Sequence, residues 1–261
     1  MTSATPLPLH VTSVGEGPPV VVLHGLLGRA RNWLSMAKAL EQDYAFQLVD
    51  LRNHGASPWS DEMSYPAMAG DVATLIERLD AGPLRVVGHS MGGKVAMHLA
   101  LSRPELVERL VVVDIAPIRY AHGFEQLIEA MLAVPLERTT RRADVDAAMR
   151  AAVPDPGLRA FLMQNLGAVA GGLAWQPNLN VLLRAMPEIA SFPAEHAGST
   201  FPGRVHCLRG ATSTYVEAEG EAALRRYFPT ARLDTVAGAG HWPHAEQPAA
   251  FLALLAPALA A

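Results

Sequence analysis

The segment Gly88-His89-Ser90-Met91-Gly92-Gly93 sets a serine between glycines, directly after the apolar run Val86-Val87 and before a stretch of helical period. A serine hydroxyl becomes a useful nucleophile when a neighbouring base takes its proton, and its chemistry is then attack on an electrophilic carbonyl. A strand turning sharply into a helix lifts the hydroxyl above a sheet edge, and flanking glycines keep the crowded backbone from colliding. The helix N-terminus then faces the reacting centre, where it stabilises developing negative charge. Ser90 is the candidate nucleophile.

Other segments supply what such a serine needs. His24-Gly25-Leu26-Leu27-Gly28 follows the apolar run 20–23. Acyl transfer requires backbone donors about 3 Å from the oxyanion, and the Leu26 and Met91 amides are assigned to that task. His24 is read as a brace of its own loop. Ala237-Gly238-Ala239-Gly240-His241-Trp242-Pro243-His244 follows the run 232–236, and its glycines make a loop that can carry a general base to the serine. His241 is preferred to His244, which lies beyond Pro243 near the start of the final helix. Asp50-Leu51-Arg52-Asn53-His54-Gly55-Ala56-Ser57 also ends a strand; Asp50 and Arg52 are read as ties within that loop, with His54 able to line the site without catalysing.

The acid that orients the histidine has several candidates. Asp114 directly follows Val111-Val112-Val113, at the carboxyl end of a parallel strand, the edge where Ser90 also emerges. Asp234 lies inside the run 232–236, Asp50 precedes the serine, and Glu217 and Glu219 follow on a later helix. Asp114 is favoured.

Short apolar runs alternate with helical stretches, the pattern of parallel β-α units. Strands are predicted at 20–23, 46–49, 85–87, 110–113, 205–208 and 232–236, and helices at 32–41, 65–79, 92–102, 217–227 and 248–255. Between Pro117 and Pro202 the rhythm breaks, and amphipathic segments at 124–132, 145–152 and 179–186 follow one another with no convincing strand. The expectation is an α/β core from 1–117 and 202–261, a mostly parallel sheet flanked by helices, with a helical lid inserted at 118–201. Phe124, Leu127, Met131, Phe161, Leu162, Met163 and Trp175 offer the lid an apolar acyl pocket, and Trp59 and Trp242 border its entrance. Phe124, Leu127 and Trp242 are the substrate-binding candidates.

Of 261 residues, 50% are hydrophobic and 18% charged, a packed chain rather than a disordered one. A net charge of −4 provides no basic field for a phosphate backbone, which argues against nucleic acid as partner. The single cysteine, Cys207, can form no intramolecular disulfide and sits in an apolar run as a structural thiol. Neither a leader pattern nor about 18 consecutive apolar residues is found, so a soluble, cytoplasmic protein is expected. His-Glu-x-x-His, paired cysteines and a Gly-x-x-x-x-Gly-Lys loop are lacking, so neither metal nor cofactor is expected. Oligomeric state is not legible.

The order of His-Gly turn, Asp-x-Arg-x-x-Gly, Gly-His-Ser-Met-Gly-Gly and Gly-His-Trp resembles the α/β-hydrolase family over nearly the whole chain. Within it, the chain is similar to the YbfF-type esterases through 50–58, Gly88-His89-Ser90-Met91-Gly92-Gly93-Lys94 and Val113-Asp114-Ile115-Ala116-Pro117. The resemblance implies a serine, acid and histidine in chain order, an acyl-enzyme, hydrolysis of carboxylic esters or acyl thioesters, and no dissociable cofactor. Where many members carry Gly-x-x-Asp, this chain reads Gly210-Ala211-Thr212-Ser213. Asp114 then stands as the alternative acid and Ser213 as an auxiliary hydroxyl. The same triad could also serve carbon-carbon bond hydrolysis or perhydrolysis, and a receptor-like ligand-binding protein with negligible turnover is the reading from another class. Haloalkane dehalogenation is disfavoured, because it needs a carboxylate where Ser90 stands.

Overall fold

Val- and Leu-rich runs that are apolar at nearly every position suit parallel strands covered on both faces. The computed structural model describes residues 5–121, 124–139 and 141–260. In chain order it contains β1 (Val11–Val14), β2 (Pro19–Leu23), α1 (Leu34–Ala39), β3 (Ala45–Val49), α2 (Tyr65–Leu79), β4 (Leu84–His89), α3 (Met91–Ser102) and β5 (Val107–Val113). Then come α4 (Phe124–Leu132), α5 (Arg142–Met149), α6 (Pro156–Met163), β6 (Leu166–Val169), β7 (Gly172–Trp175) and α7 (Leu179–Ile189). The chain ends with β8 (Arg204–Gly210), α8 (Ala218–Tyr227), β9 (Arg232–Val236), α9 (Pro243–Glu246) and α10 (Pro248–Ala260).

Seven strands form one sheet in the order β1-β3-β2-β4-β5-β8-β9, with β1 antiparallel to β3 and the other neighbours parallel. Registry pairs Leu23 with Gly88, His89 with Val113, Val113 with Leu208 and Gly210 with Val236. The residues just beyond these strands, His24, Ser90, Asp114 and the 237–241 loop, therefore emerge along one edge. Hydrophobic clusters cover both faces, one built around Val72, Val95 and Val112 and the other around Trp33, Val111 and Phe251.

The chain departs from its sequence reading in three places. β1 is a four-residue, partly exposed edge strand, too short for its Val-Thr-Ser-Val alternation to stand out. The helix expected at 32–41 opens as a tighter turn at Ala30–Trp33, and α1 follows it. The expectation of a strand-free segment between Pro117 and Pro202 is corrected: β6 and β7 form an antiparallel hairpin, Leu166 opposite Trp175. These strands are rich in Gly and Ala, so the turn carries the signal, with Gly171 at φ 93° and Gly172 at φ 154°. Only glycine adopts such angles without strain.

Polar contacts tie this segment to the loop after β2 and to α2 and α3. Asn165 Nδ2 donates to Leu27 O at 2.7 Å, and Tyr65 Oη donates to Ile189 O at 2.6 Å. Lys94 Nζ, buried on α3, donates to Ala190 O and Ser191 O at 2.9 and 2.7 Å. Among the described residues, no helix is long and apolar enough to cross a membrane.

Candidate active site

Ser90 joins β4 to α3 at φ 51° and ψ −120°, a conformation that costs a non-glycine residue about 1–3 kcal/mol. The sheet holds it there, because Ser90 N donates to Val113 O at 3.0 Å and extends the parallel ladder. The flanking glycines are dictated by contact. A Cβ on Gly88 would stand 2.3 Å from Gly92 O, and one on Gly92 would stand 2.5 Å from His24 O.

His241 Nε2 lies 3.0 Å from Ser90 Oγ, and His241 Nδ1 lies 2.7 Å from Asp114 Oδ2. A carboxylate only accepts, so the imidazole proton sits on Nδ1 and the free lone pair of Nε2 faces the serine. Asp114 is fully buried, with φ 50° immediately after β5. Its Oδ1 accepts from Gly210 N at 2.9 Å, and its Oδ2 accepts a second bond, from Ser213 Oγ at 2.5 Å. Asp234, by contrast, sits within β9 opposite Leu208. Asp50 is occupied by the amides of Ala30 and Ala56 at 2.6 and 2.9 Å.

The loop carrying His241 is pinned by Glu246, whose carboxylate accepts from Gly240 N at 2.6 Å and Trp242 N at 3.0 Å. Tyr215 stacks on the imidazole with centroids 3.8 Å apart and an interplanar angle of 18°. His89 packs against it at 4.9 Å and donates from Nε2 to His241 O at 2.7 Å. Burial drives His89 well below the ordinary histidine range and His244 to about 3, so the rings around His241 are neutral.

The Leu26 and Met91 amides find no backbone or side-chain acceptor among the described residues. Leu26, Ser90 and His241 line one narrow cleft, and Leu26, Ser90 and Met91 line a second recess with Lys94. His24 braces its loop, accepting from Leu51 N at 3.0 Å on Nε2 and donating from Nδ1 to Gly25 O. His54 does the same with Leu27 N and Arg52 O, and burial lowers it to about 3. Arg52 pairs with Asp71 at 2.7 Å, both side chains buried.

Phe124, Phe161 and Trp242 line the cleft. Leu127 does not; it is partly buried and packs on the larger hydrophobic cluster, where Met131, Leu162 and Trp175 are also buried. The expectation that Leu127 lines the cleft is corrected: Phe124 and Leu127 both pack on that cluster, and it is Phe124, at the start of α4, that reaches the cleft, not Leu127 one turn further on. Met163 is likewise buried in that cluster, and Trp59 is exposed, donating to Gln176 O at 2.9 Å. Sequence reasoning missed Tyr215 as a neighbour of the reacting groups and gave His89 no role. His89 could have been flagged by its place in the Gly-x-Ser turn, whereas a stacking partner such as Tyr215 leaves no local pattern.

The fold and this edge define a class. Residues 18–153 match the alpha/beta hydrolase fold family, and the chain belongs to it. Among curated relatives, the sn-1-specific diacylglycerol lipase ABHD11 of Mus musculus is 41% identical over 258 residues, covering 95% of this chain and 83% of that protein. Esterase YbfF of Escherichia coli (strain K12) is 35% identical over 239 residues, covering 90% of each. A solved structure described as a marine microorganism esterase superposes with a TM-score of 0.91 at 32% identity, covering 97% of this chain and 100% of that one.

Proposed function

We propose that this chain is a serine carboxylesterase that works through Ser90, His241 and Asp114. The observation that carries this reading is the unbroken hydrogen-bond chain Ser90–His241–Asp114, at 3.0 and 2.7 Å, on one sheet edge beside two unpartnered amides. Relatives named as lipases and esterases support the same chemistry.

In this mechanism His241 Nε2 takes the Ser90 proton as Oγ attacks the substrate carbonyl, and the Leu26 and Met91 amides receive the developing oxyanion. The imidazolium is stabilised by Asp114, then gives its proton to the departing oxygen or sulfur. Water, deprotonated by the same nitrogen, releases the acid from the acyl-enzyme. Ser213 and Gly210 hold the Asp114 carboxylate in place. The segment 118–201 acts as a cap that walls the cleft with Phe124 and Phe161, opposite Trp242 from the core.

Purified protein should hydrolyse short p-nitrophenyl esters and label with a fluorophosphonate probe. Ser90→Ala should fold with an unchanged thermal midpoint, lose labelling, and lose at least about 10³ in turnover. Labelling without turnover across a broad ester panel would favour a binding protein instead. Full activity in Ser90→Ala would overturn the assignment of the nucleophile.

A further inference from the structure

His98 lies on α3 one turn beyond Lys94, and both side chains reach the stretch of chain that returns to the core after α7. Lys94 takes the carbonyls of Ala190 and Ser191, and His98 meets His196 at the end of the tight turn Ala194–His196. The two histidines are 98 residues apart in the chain, so no local motif announces the pair. Both rings are buried, at 67° to one another, with His98 Nδ1 and His196 Nε2 2.7 Å apart. A contact of that length holds one proton, so one of the facing nitrogens already presents a lone pair. The other neutral tautomer of the donating ring frees the second.

Glu195 completes the group. It is exposed, its carboxylate oxygen lies within 4.8 Å of both nitrogens, and among the described residues it forms no ion pair. Negative charge gathers here, since burial and the charges of Glu62 and Glu195 together raise the Glu188 carboxyl above its ordinary range. Two imidazoles and a carboxylate suit zinc and its transition-metal neighbours, whereas calcium and magnesium prefer oxygen throughout. Around a tetrahedral zinc two nitrogens stand about 3.3 Å apart, so the rings need to separate by about 0.6 Å. The exposed side, at Glu195, leaves a fourth position open to water.

We infer that His98, His196 and Glu195 form a structural zinc site that ties the returning end of the covering segment to α3. The site lies about two turns, or about 12 Å, along α3 from Ser90, so the ion takes no part in acyl transfer. It therefore does not depend on the esterase reading. Phe192 packs on His196 at 5.9 Å and on Tyr227 at 5.6 Å, which holds the His196 side of the site against α8.

The test is calorimetric titration of the chelator-treated full chain with Zn2+, beside thermal melts with and without the ion. One equivalent should bind with a Kd on the order of 1 μM or tighter and raise the thermal midpoint, because the ion binds the folded state. Glu195→Gln, at an exposed position that leaves the buried ring pair intact, should weaken binding about tenfold or more. His196→Gln should abolish both the binding and the rise in midpoint. His241→Gln should bind as the parent does, which separates this site from coordination at the triad. Mg2+ and Ca2+ should leave the midpoint unmoved, and a shift as large as that of Zn2+ would overturn the zinc assignment. If His196→Gln does not fold, Glu195→Gln decides: a tenfold loss supports the site and parental affinity overturns it. No stoichiometric binding by the parent, or binding that His241→Gln removes, also overturns the inference.

Discussion

The sheet edge and the segment that covers it are held by different forces. At the edge, Ser90 and Asp114 are fixed by ladder hydrogen bonds to Val113 and Leu208, so backbone registry sets their spacing. The covering segment shares the larger hydrophobic cluster with one face of the sheet, through Ile128, Met131, Leu162 and Leu182, and is joined to the core by side-chain bonds to main-chain carbonyls, from Asn165, Tyr65 and Lys94. Ser90 and Asp114 therefore sit where backbone pairing fixes them, whereas Phe124 and Phe161 reach the cleft from a segment placed by side-chain packing. Changes at the edge should alter rate, and changes at the contacts above should alter stability and selectivity.

The largest expected difference is in acid stability. His54 and His244 are buried neutral, each brought to about 3, whereas in an unfolded chain they bind protons near pH 6.5. Between those values the unfolded state holds more protons, so stability is full above pH 6.5 and falls as pH drops toward 3. Urea unfolding should show a loss on the order of 2 kcal/mol or more between pH 7.5 and pH 5, with a shallower slope in His244→Gln. Equal slopes in the two proteins would remove His244 from the account.

Smaller effects sharpen the contrast between regions. Ser213→Ala deletes one donor to the buried Asp114 Oδ2 while leaving the charge, so turnover should fall about tenfold or less, with a loss on the order of 1 kcal/mol or more in unfolding free energy. A loss as large as that of Ser90→Ala would place Ser213 in the proton path. Tyr65→Phe removes the bond to Ile189 O and should cost about 1 kcal/mol in unfolding free energy, with p-nitrophenyl ester turnover within about twofold. A large rate loss there would mean that the covering segment positions the reacting groups.

The same contrast governs what the sequence reveals. β2, β3, β4, β5 and β8 are legible because buried parallel strands are apolar almost throughout, and observed bounds extend the expected ones by at most three residues at either end. The reacting groups are legible because the strained turn at Ser90 demands glycines at 88 and 92. The acid is legible by topology alone, from the strand that ends at Val113. The β6–β7 hairpin, Tyr215 against His241, and the tie from Arg29 to Gln176 are not, because each depends on a turn or on residues brought together only by packing.

The central claim is that the carboxylate serving His241 stands at the end of β5, while the position after β8 holds the hydroxyl of Ser213. Its most direct measurement is kcat/KM for Asp114→Asn beside Asp114→Asn/Ser213→Asp, with thermal midpoints recorded for both. In a serine protease the equivalent Asp-to-Asn change costs about 10⁴ in turnover, so Asp114→Asn should lose on the order of 10² or more while remaining folded. The double variant, which places a carboxylate where Ser213 reaches the same site, should recover part of that loss. A folded Asp114→Asn with near-parental kcat/KM would contradict the claim.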